Sequence, residues 1–249
     1  MTACEVSVII PARNEEALIA ESVRHVVEAC QEFQQRVAGT SDHRLWEVLV
    51  VDNHSSDNTV ERVQTFVKES AVRIIECQEL GAAKARNLGR RLADGRVLIF
   101  VDADTMISKD TVGCLVKHCD NVPLRAGITW LGDYDGGLRS RLWWMFWNYV
   151  RCLPMARAKA MPAVMFCTSE VFDRFGPFEE GIAIGEEWPI LAGLYRVHPE
   201  HVIYDKQLVA RSSSRRMDRQ LFGYSRTLFR YVWAILHRSG RIHYTDRIR

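Results

Sequence analysis

Residues Val97–Thr105 read Val-Leu-Ile-Phe-Val-Asp-Ala-Asp-Thr: five apolar residues, then two carboxylates separated by one alanine. A short apolar run that follows Asp94-Gly95 and ends in charge reads as a buried strand. Two carboxylates so close repel each other unless a cation lies beside them. Hard divalent cations take oxygen ligands, and Mg²⁺ commonly uses one or two carboxylates and leaves its other positions to water and substrate phosphates. Asp-x-Asp alone recurs by chance. Its place here, after a strand and before a helical stretch, points to a metal-held diphosphate.

Working outward from this strand, the first half of the chain alternates in period. Val6–Ile10, Trp46–Val51 and Val72–Ile75 are short β-branched or apolar runs. Between them lie helical stripes over Glu16–Gln35, Asn58–Glu69 and Gly81–Ala93. This strand–helix rhythm predicts an α/β fold, a Rossmann-like and mostly parallel sheet with helices on both faces. Right-handed crossovers bring the C-terminal ends of such strands to one edge, where ligands bind. Just past those ends stand Pro11-Ala12-Arg13-Asn14-Glu15, Asp52-Asn53-His54-Ser55-Ser56-Asp57 and Asp102-Ala103-Asp104. One such Asp is ordinarily a helix cap, and Asp57 suits that role before Asn58. Three clusters at one edge suggest a site.

The second half is less regular. Ile107–Asp120 reads as a helix, Ala163–Cys167 as a strand, and Val202–Tyr204 and Leu208–Ala210 as short strands. Gly185-Glu186-Glu187-Trp188-Pro189 opens a helix that runs to about Arg196, and a last helix is expected over Asp218–His237. Leu142–Val150 is apolar all round, holds Trp143, Trp144 and Trp147, and is flanked by Arg139, Arg141 and Arg151. Such a segment is buried in a core, lines a groove that stacks sugars, or meets a membrane interface.

Composition excludes disordered and collagen-like chains: of 249 residues, 47% are hydrophobic and 26% charged. The net charge of +2 hides an asymmetry, because residues 211–249 hold ten Arg, no Lys and only two Asp. A basic segment on an acidic body suggests an anionic partner. The seven Cys are scattered without a CxxC pair, which excludes a disulfide framework and a zinc-ribbon site and fits a reducing compartment. No basic stretch precedes the first apolar run and no run of about 20 apolar residues occurs, so neither a signal peptide nor a spanning helix is expected. Without repeats or low-complexity linkers, 1–249 is expected to be one domain.

Gly81-Ala82-Ala83-Lys84-Ala85-Arg86-Asn87-Leu88-Gly89 adds small residues and two cations at a helix start, where the dipole also favours anions. Together with Ser7–Glu16, Val50–Thr59, Phe100–Thr105, Phe175–Glu180 and Gly185–Trp188, this stretch resembles family 2 glycosyltransferases of the GT-A fold. The six pieces stand in family order over roughly residues 5 to 190.

The resemblance implies a nucleotide-binding half over 1–105, an acceptor and catalytic half over 106–210, and a basic lid and helix over 211–249. It implies that Pro11, Ala12, Arg13 and Glu15 line the nucleotide pocket and that Asp52 accepts a hydrogen bond from the base. Lys84 and Arg86 would contact the nucleotide and brace the Asp-x-Asp pair. Asp102, with Ala103, would lie near the ribose and metal, and Asp104 would bind Mg²⁺ or Mn²⁺ on the diphosphate. Glu187 stands at the position of the catalytic base, with Glu186 as the competing candidate. Asn53 and His54 depart from the family's usual Asp and Gly, and Glu186-Glu187 replaces its more common Glu-Asp. The Gln-x-x-Arg-Trp motif of processive synthases is absent, which argues for a single transfer per acceptor, and the resemblance implies in-line displacement with inversion.

Ser212-Ser213-Ser214-Arg215-Arg216 reads as a mobile lid whose arginines grip phosphate. A UDP-sugar is the expected donor and a hydroxyl the acceptor, lipid-linked if the Trp-rich segment meets a membrane. The protein is expected in the cytoplasm or peripheral at the inner membrane face, with self-association as a second use of the apolar segment and no nucleic-acid partner. A sugar-1-phosphate nucleotidyltransferase would need a glycine-rich loop where Ala12-Arg13-Asn14-Glu15-Glu16 stands. A catalytically silent nucleotide-binding or membrane-docking relative is the other alternative.

Overall fold

A computed structural model describes residues 4–38, 45–67, 71–153, 162–182 and 184–236. The first half forms β1 (Val6–Ala12), α1 (Ile19–Ala38), β2 (Trp46–Asp52), α2 (Thr59–Val67), β3 (Val72–Glu76), α3 (Ala82–Arg91) and β4 (Val97–Val101). β1 pairs in parallel with both β2 and β4, and β2 with β3. β1, β2 and β4 are buried on both faces, as central parallel strands are when helices cover each side.

Period-2 alternation divides their side chains between two cores. Val8, Ile10, Val48, Val50, Ile99 and Val101 pack on the side of α1. Ile9, Leu49, Val51, Leu98 and Phe100 pack on the other side, with Ala83 and Ala85 of α3. The glycine at 89 explains the small-residue run. A Cβ there would lie 2.5 Å from Ile9 Cγ2 and 3.2 Å from Val51 Cγ2, so only glycine lets α3 approach the sheet this closely.

The second half extends the sheet with β5 (Thr105–Met106), β6 (Ala126–Asp133), β7 (Val164–Thr168) and β8 (Val202–Ser212), interleaved with α4 (Thr111–Cys119), α5 (Leu138–Cys152), α6 (Ser169–Phe175), α7 (Trp188–Val197), α8 (Arg215–Asp218) and α9 (Gly223–Leu236). The sheet order is β3-β2-β1-β4-β7-β6-β8-β5. β7 runs antiparallel to β4 and β6, β5 runs antiparallel to β8, and β6 and β8 are parallel. The expected mixed, mostly parallel α/β sheet is therefore observed.

Three details differ from the sequence reading. The two short strands expected near residues 202 and 208 are one strand, β8, with a register irregularity opposite Thr129 and Trp130. The expected Asp218–His237 helix begins only at Gly223, after Phe222 at φ 59°, and His237 lies outside the described residues. A Cβ at Gly223 would sit 2.1 Å from the Met217 carbonyl oxygen, so the chain turns there on glycine. Arg151, read only as a flank of the Leu142–Val150 run, is buried within α5 at 1% exposure.

Candidate active site

The parallel register fixes where the three clusters meet. Ala12 pairs with Asp52, and β4 lies on the other side of β1, so all three strands end on one edge. The first two loops are sewn together. The Asn14 amide donates to Ser55 Oγ at 3.1 Å, the Ser56 amide donates to Asn14 Oδ1 at 2.8 Å, and the Glu16 amide donates to Asp57 Oδ2 at 3.1 Å. Asp57 also accepts from the Thr59 amide at 3.0 Å, the capping role its position suggested. Much of the polar sequence of these loops is thus structural.

Asp52 is different. It is 8% exposed, its Oδ2 accepts only from the Ser55 amide at 3.3 Å, and its Oδ1 is buried with no partner among the described residues. A buried unpaired acceptor is costly unless a ligand satisfies it. Asn53 is a scaffold residue. Its Nδ2 donates to the Glu79 carbonyl at 2.7 Å and its Oδ1 accepts from the Gly81 amide at 2.7 Å, fixing the turn that starts α3. Ala12 is buried in β1 with its carbonyl accepting from the Asn53 amide at 2.8 Å, Pro11 is part-buried, Ala103 is buried, and Arg13 is exposed at the rim.

Arg86 is the centre of the site. One arm of its guanidinium donates to Asp102 Oδ1 at 2.6 Å, the other is paired with Glu186 Oε1, and its plane lies 5.7 Å from the Phe178 ring centroid. One turn of α3 therefore joins the Asp-x-Asp pair to the Glu-Glu pair. Asn87 secures the same junction. Its Nδ2 donates to the Phe178 carbonyl at 3.0 Å, and its Oδ1 accepts from the Phe178 amide at 3.0 Å. The Glu179 amide then donates to the Glu186 carbonyl at 2.8 Å. Lys84, by contrast, pairs with Glu79 at 2.5 Å and does not reach the carboxylates.

The turn into α7 is built on Gly185, at φ 84°, where a Cβ would strike the Trp188 ring at 2.4 Å. Pro189 in the first turn starts the helix with its φ already set. Glu187 caps α7 through its backbone carbonyl, which accepts from Ile190 at 3.1 Å and Leu191 at 3.2 Å, and is 5% exposed. Behind it lies the buried Arg151, whose pKa burial lowers, against the opposing influence of Tyr204, Tyr231 and Glu187. Arg151 Nη1 also donates to Asn148 Oδ1 at 3.2 Å.

Burial raises the pKa of both Asp102 and Asp104. At Asp102 the Arg86 guanidinium opposes the rise, whereas at Asp104 the charge of Asp102 adds to it, and Asp104 reaches about 7. The Arg215 guanidinium opposes the rise at Asp104.

The expected lid is anchored. Ser212, Ser213 and Ser214 are buried. Ser213 Oγ donates to Asp135 Oδ1 at 3.0 Å, and the Ser214 amide and hydroxyl both bond Asp135 Oδ2. Asp135 escaped the sequence reading because a lone loop Asp carries no pattern. Arg215 and Arg216 both pair with the buried Glu15, and Arg215 Nη1 is a buried donor without a partner among the described residues.

Beside the Arg86 bridge lies a cavity of about 200 Å³. Arg86, Asp102, Glu186 and Glu187 line one side, and Trp143, Trp144, Trp147 and Tyr231 line the other. The indole N–H groups of Trp144 and Trp147 are buried without acceptors among the described residues. The tryptophans of α5 thus face the cavity, while Leu142, Met145, Phe146 and Tyr149 of the same helix are exposed. No helix among the described residues is long and apolar enough to cross a membrane.

Similar architectures occur in two solved glycosyltransferase structures. Staphylococcus aureus TarS 1–349 in complex with UDP superposes with a TM-score of 0.61 at 19% identity, covering 93% of this chain and 65% of that one. Mycobacterium tuberculosis glucosyl-3-phosphoglycerate synthase, with Mn²⁺, UDP and glucosyl-3-phosphoglycerate, gives 0.58 at 19% identity, covering 93% and 79%. The fold is that of the GT-A glycosyltransferases.

The sequence profile described as glycosyl transferase family 2 matches residues 7–180. The chain belongs to that family. Among named relatives, Escherichia coli UDP-Glc:alpha-D-GlcNAc-diphosphoundecaprenol beta-1,3-glucosyltransferase WfgD is 34% identical over 100 residues, 40% of this chain and 34% of that protein. Staphylococcus aureus (strain Mu50) poly(ribitol-phosphate) beta-N-acetylglucosaminyltransferase TarS is 32% identical over 108 residues, 43% and 17% respectively. The match spans well under half the length of either relative.

Proposed function

We propose that this chain transfers one sugar from a UDP-sugar to an acceptor hydroxyl, with inversion, assisted by a divalent cation and with Glu187 as general base. The observation that carries this reading is the Arg86 bridge, which joins Asp102 of the Asp-x-Asp pair to Glu186 beside a cavity that Asp102, Glu186 and Glu187 line. The UDP named with both structural neighbours supports the choice of base.

The residues fit a divalent cation. Asp104 and Asp102 offer hard oxygen ligands side by side, each raising the cost of the other's charge, and two carboxylates completed by phosphate oxygens and water suit Mg²⁺ or Mn²⁺. Mn²⁺ is named with the mycobacterial neighbour. Bound at these carboxylates, the cation would neutralise the diphosphate leaving group as a Lewis acid. The unpaired Nη1 of Arg215 suits a phosphate oxygen, and the unpaired Oδ1 of Asp52 suits an N–H of the base. Arg215 and Arg216 would exchange Glu15 for the diphosphate, a local switch in place of a mobile lid.

Glu186 is held by Arg86, which makes it the brace. Glu187, buried at the first turn of α7 and lining the same cavity, is the group we assign to proton abstraction from the attacking hydroxyl. Attack from its side of the cavity, opposite the leaving group, inverts the anomeric centre. The Trp144 and Trp147 N–H groups suit sugar hydroxyls, and ring faces suit stacking. The exposed apolar residues of α5, with Phe229, Val232 and Trp233 of α9, suit the hydrocarbon of a lipid-linked acceptor at a membrane surface.

Asp52 gives the direct test. Calorimetric titration with UDP and Mn²⁺ is expected to show Asp52→Ala binding roughly 10–100-fold more weakly, the worth of a hydrogen bond to a charged group. Equal affinities would remove Asp52 from base recognition and the UDP assignment with it.

A further inference from the structure

At the far end of α7 from Glu187, residues 198–201 read His-Pro-Glu-His. His198 caps α7, its amide donating to Leu194 O at 2.8 Å, and Pro199–His201 forms a single 3₁₀ turn closed by the His201 amide on the His198 carbonyl at 3.0 Å. The Glu200 carbonyl accepts from Arg125 Nη1 at 3.1 Å, which ties the turn to the start of β6. Backbone bonds and a proline thus hold the three polar side chains in place.

Their ligand atoms converge. His198 Nδ1 lies 3.4 Å and His201 Nε2 3.6 Å from the same Glu200 oxygen, and all three atoms fall within 4.8 Å of one another. The two rings are nearly parallel, 19° apart with centroids at 4.8 Å. A charge-assisted N–H···O⁻ bond would draw the heavy atoms to about 2.7–2.9 Å. Neither imidazole does so. Ligands about 2.0–2.2 Å from a shared tetrahedral cation stand roughly 3.3–3.6 Å apart, which matches both separations to Glu200. His201 Nδ1 is buried without a partner among the described residues, so Nε2 is the nitrogen that meets Glu200.

We propose that His198, Glu200 and His201 form a second metal site, separate from Asp102 and Asp104, that takes a borderline transition cation such as Zn²⁺ with water completing its shell. Two imidazoles and one carboxylate select Zn²⁺ over Mg²⁺, which prefers all-oxygen shells. The ten residues of α7 rise about 15 Å between Glu187 and this turn. The cation would pin the C-terminal end of the helix whose first turn carries Glu187. The site stands on its own geometry and is independent of the transfer reading.

The test uses tag-free protein with Mg²⁺ saturating. Wild type and Asp104→Ala are expected to bind one equivalent of Zn²⁺, with Tm raised by about 5–10 °C at a hundredfold excess over Kd. Co²⁺ in its place should give visible absorption from nitrogen ligation. His201→Ala and Glu200→Gln should each lose at least tenfold in Zn²⁺ affinity, and Glu200→Gln removes a ligand from an exposed side chain without threatening the fold. Unchanged Zn²⁺ affinity in both variants, no binding by wild type, or loss of all binding in Asp104→Ala would overturn the proposal and leave a simple surface His–Glu cluster.

Discussion

Glu187→Gln is expected to lower kcat by about 10²–10⁴-fold, the usual worth of a positioned general base, while UDP affinity stays within about twofold. Gln keeps the size and hydrogen-bonding reach of Glu but cannot take a proton. The side chain is 5% exposed and lines the cavity, so water cannot easily substitute for it. Glu186→Gln is the informative control. Its carboxylate is committed to Arg86, so its loss should loosen the brace and reduce activity by a smaller factor. Steady-state kinetics with varied donor separates the two. A larger kcat loss at Glu186 would exchange their roles.

Arg86→Ala is expected to lose both activity and stability. Among the described residues its guanidinium is what links the carboxylates of Asp102 and Glu186, and it covers the Phe178 ring. Removing one partner of a largely buried pair typically costs about 3–5 kcal/mol. Asp102 is partly exposed, so the lower end of that range, about 3 kcal/mol, is expected from urea unfolding. Metal addition should recover part of this loss, because a cation can answer the charge on Asp102 that Arg86 no longer does. Arg86→Lys keeps the charge but cannot span two carboxylates, and should fold well yet turn over slowly. Unchanged stability in Arg86→Ala would show that the bridge does not hold the site together.

The first half of the fold and its site edge were legible because the physics there is local. β1, β2 and β4 are buried on both faces and so read as plain apolar runs, and each ends in a polar cluster that parallel pairing must bring to the same edge. The second half hides its signals. β6 contains Gly127, where a Cβ would come 2.4 Å from the Ile203 carbonyl oxygen, and Gly132, so its alternation is broken by residues chosen for close approach. α5 looks uniformly apolar because one face meets the cavity and the other is exposed. Arg151 reads only as a flank of an apolar run, and its burial beside Tyr204 and Tyr231, distant in sequence, appears in the structure alone. Asn87 and Asp135 hold the site through contacts with Phe178 and with Ser213 and Ser214, and no short-range pattern announces either. The sequence order of the motifs named the participants. The Arg86 bridge and the Glu15 pairing with Arg215 and Arg216 required the structure.

The central claim is that Val97–Thr105 ends in a metal-diphosphate site, and one measurement tests it most directly. Thermal unfolding is followed with UDP, GDP, dTDP and CDP, each with and without Mn²⁺, for wild type and Asp104→Ala. Ligand that binds only the native state raises Tm by mass action. UDP with Mn²⁺ is expected to raise the Tm of wild type by about 5 °C or more at a hundredfold excess over Kd, with little effect from either alone. Asp104→Ala is expected to lose that shift. A UDP shift of equal size in wild type and Asp104→Ala, or no shift with any nucleotide, would contradict the metal-diphosphate reading and favour a catalytically silent relative.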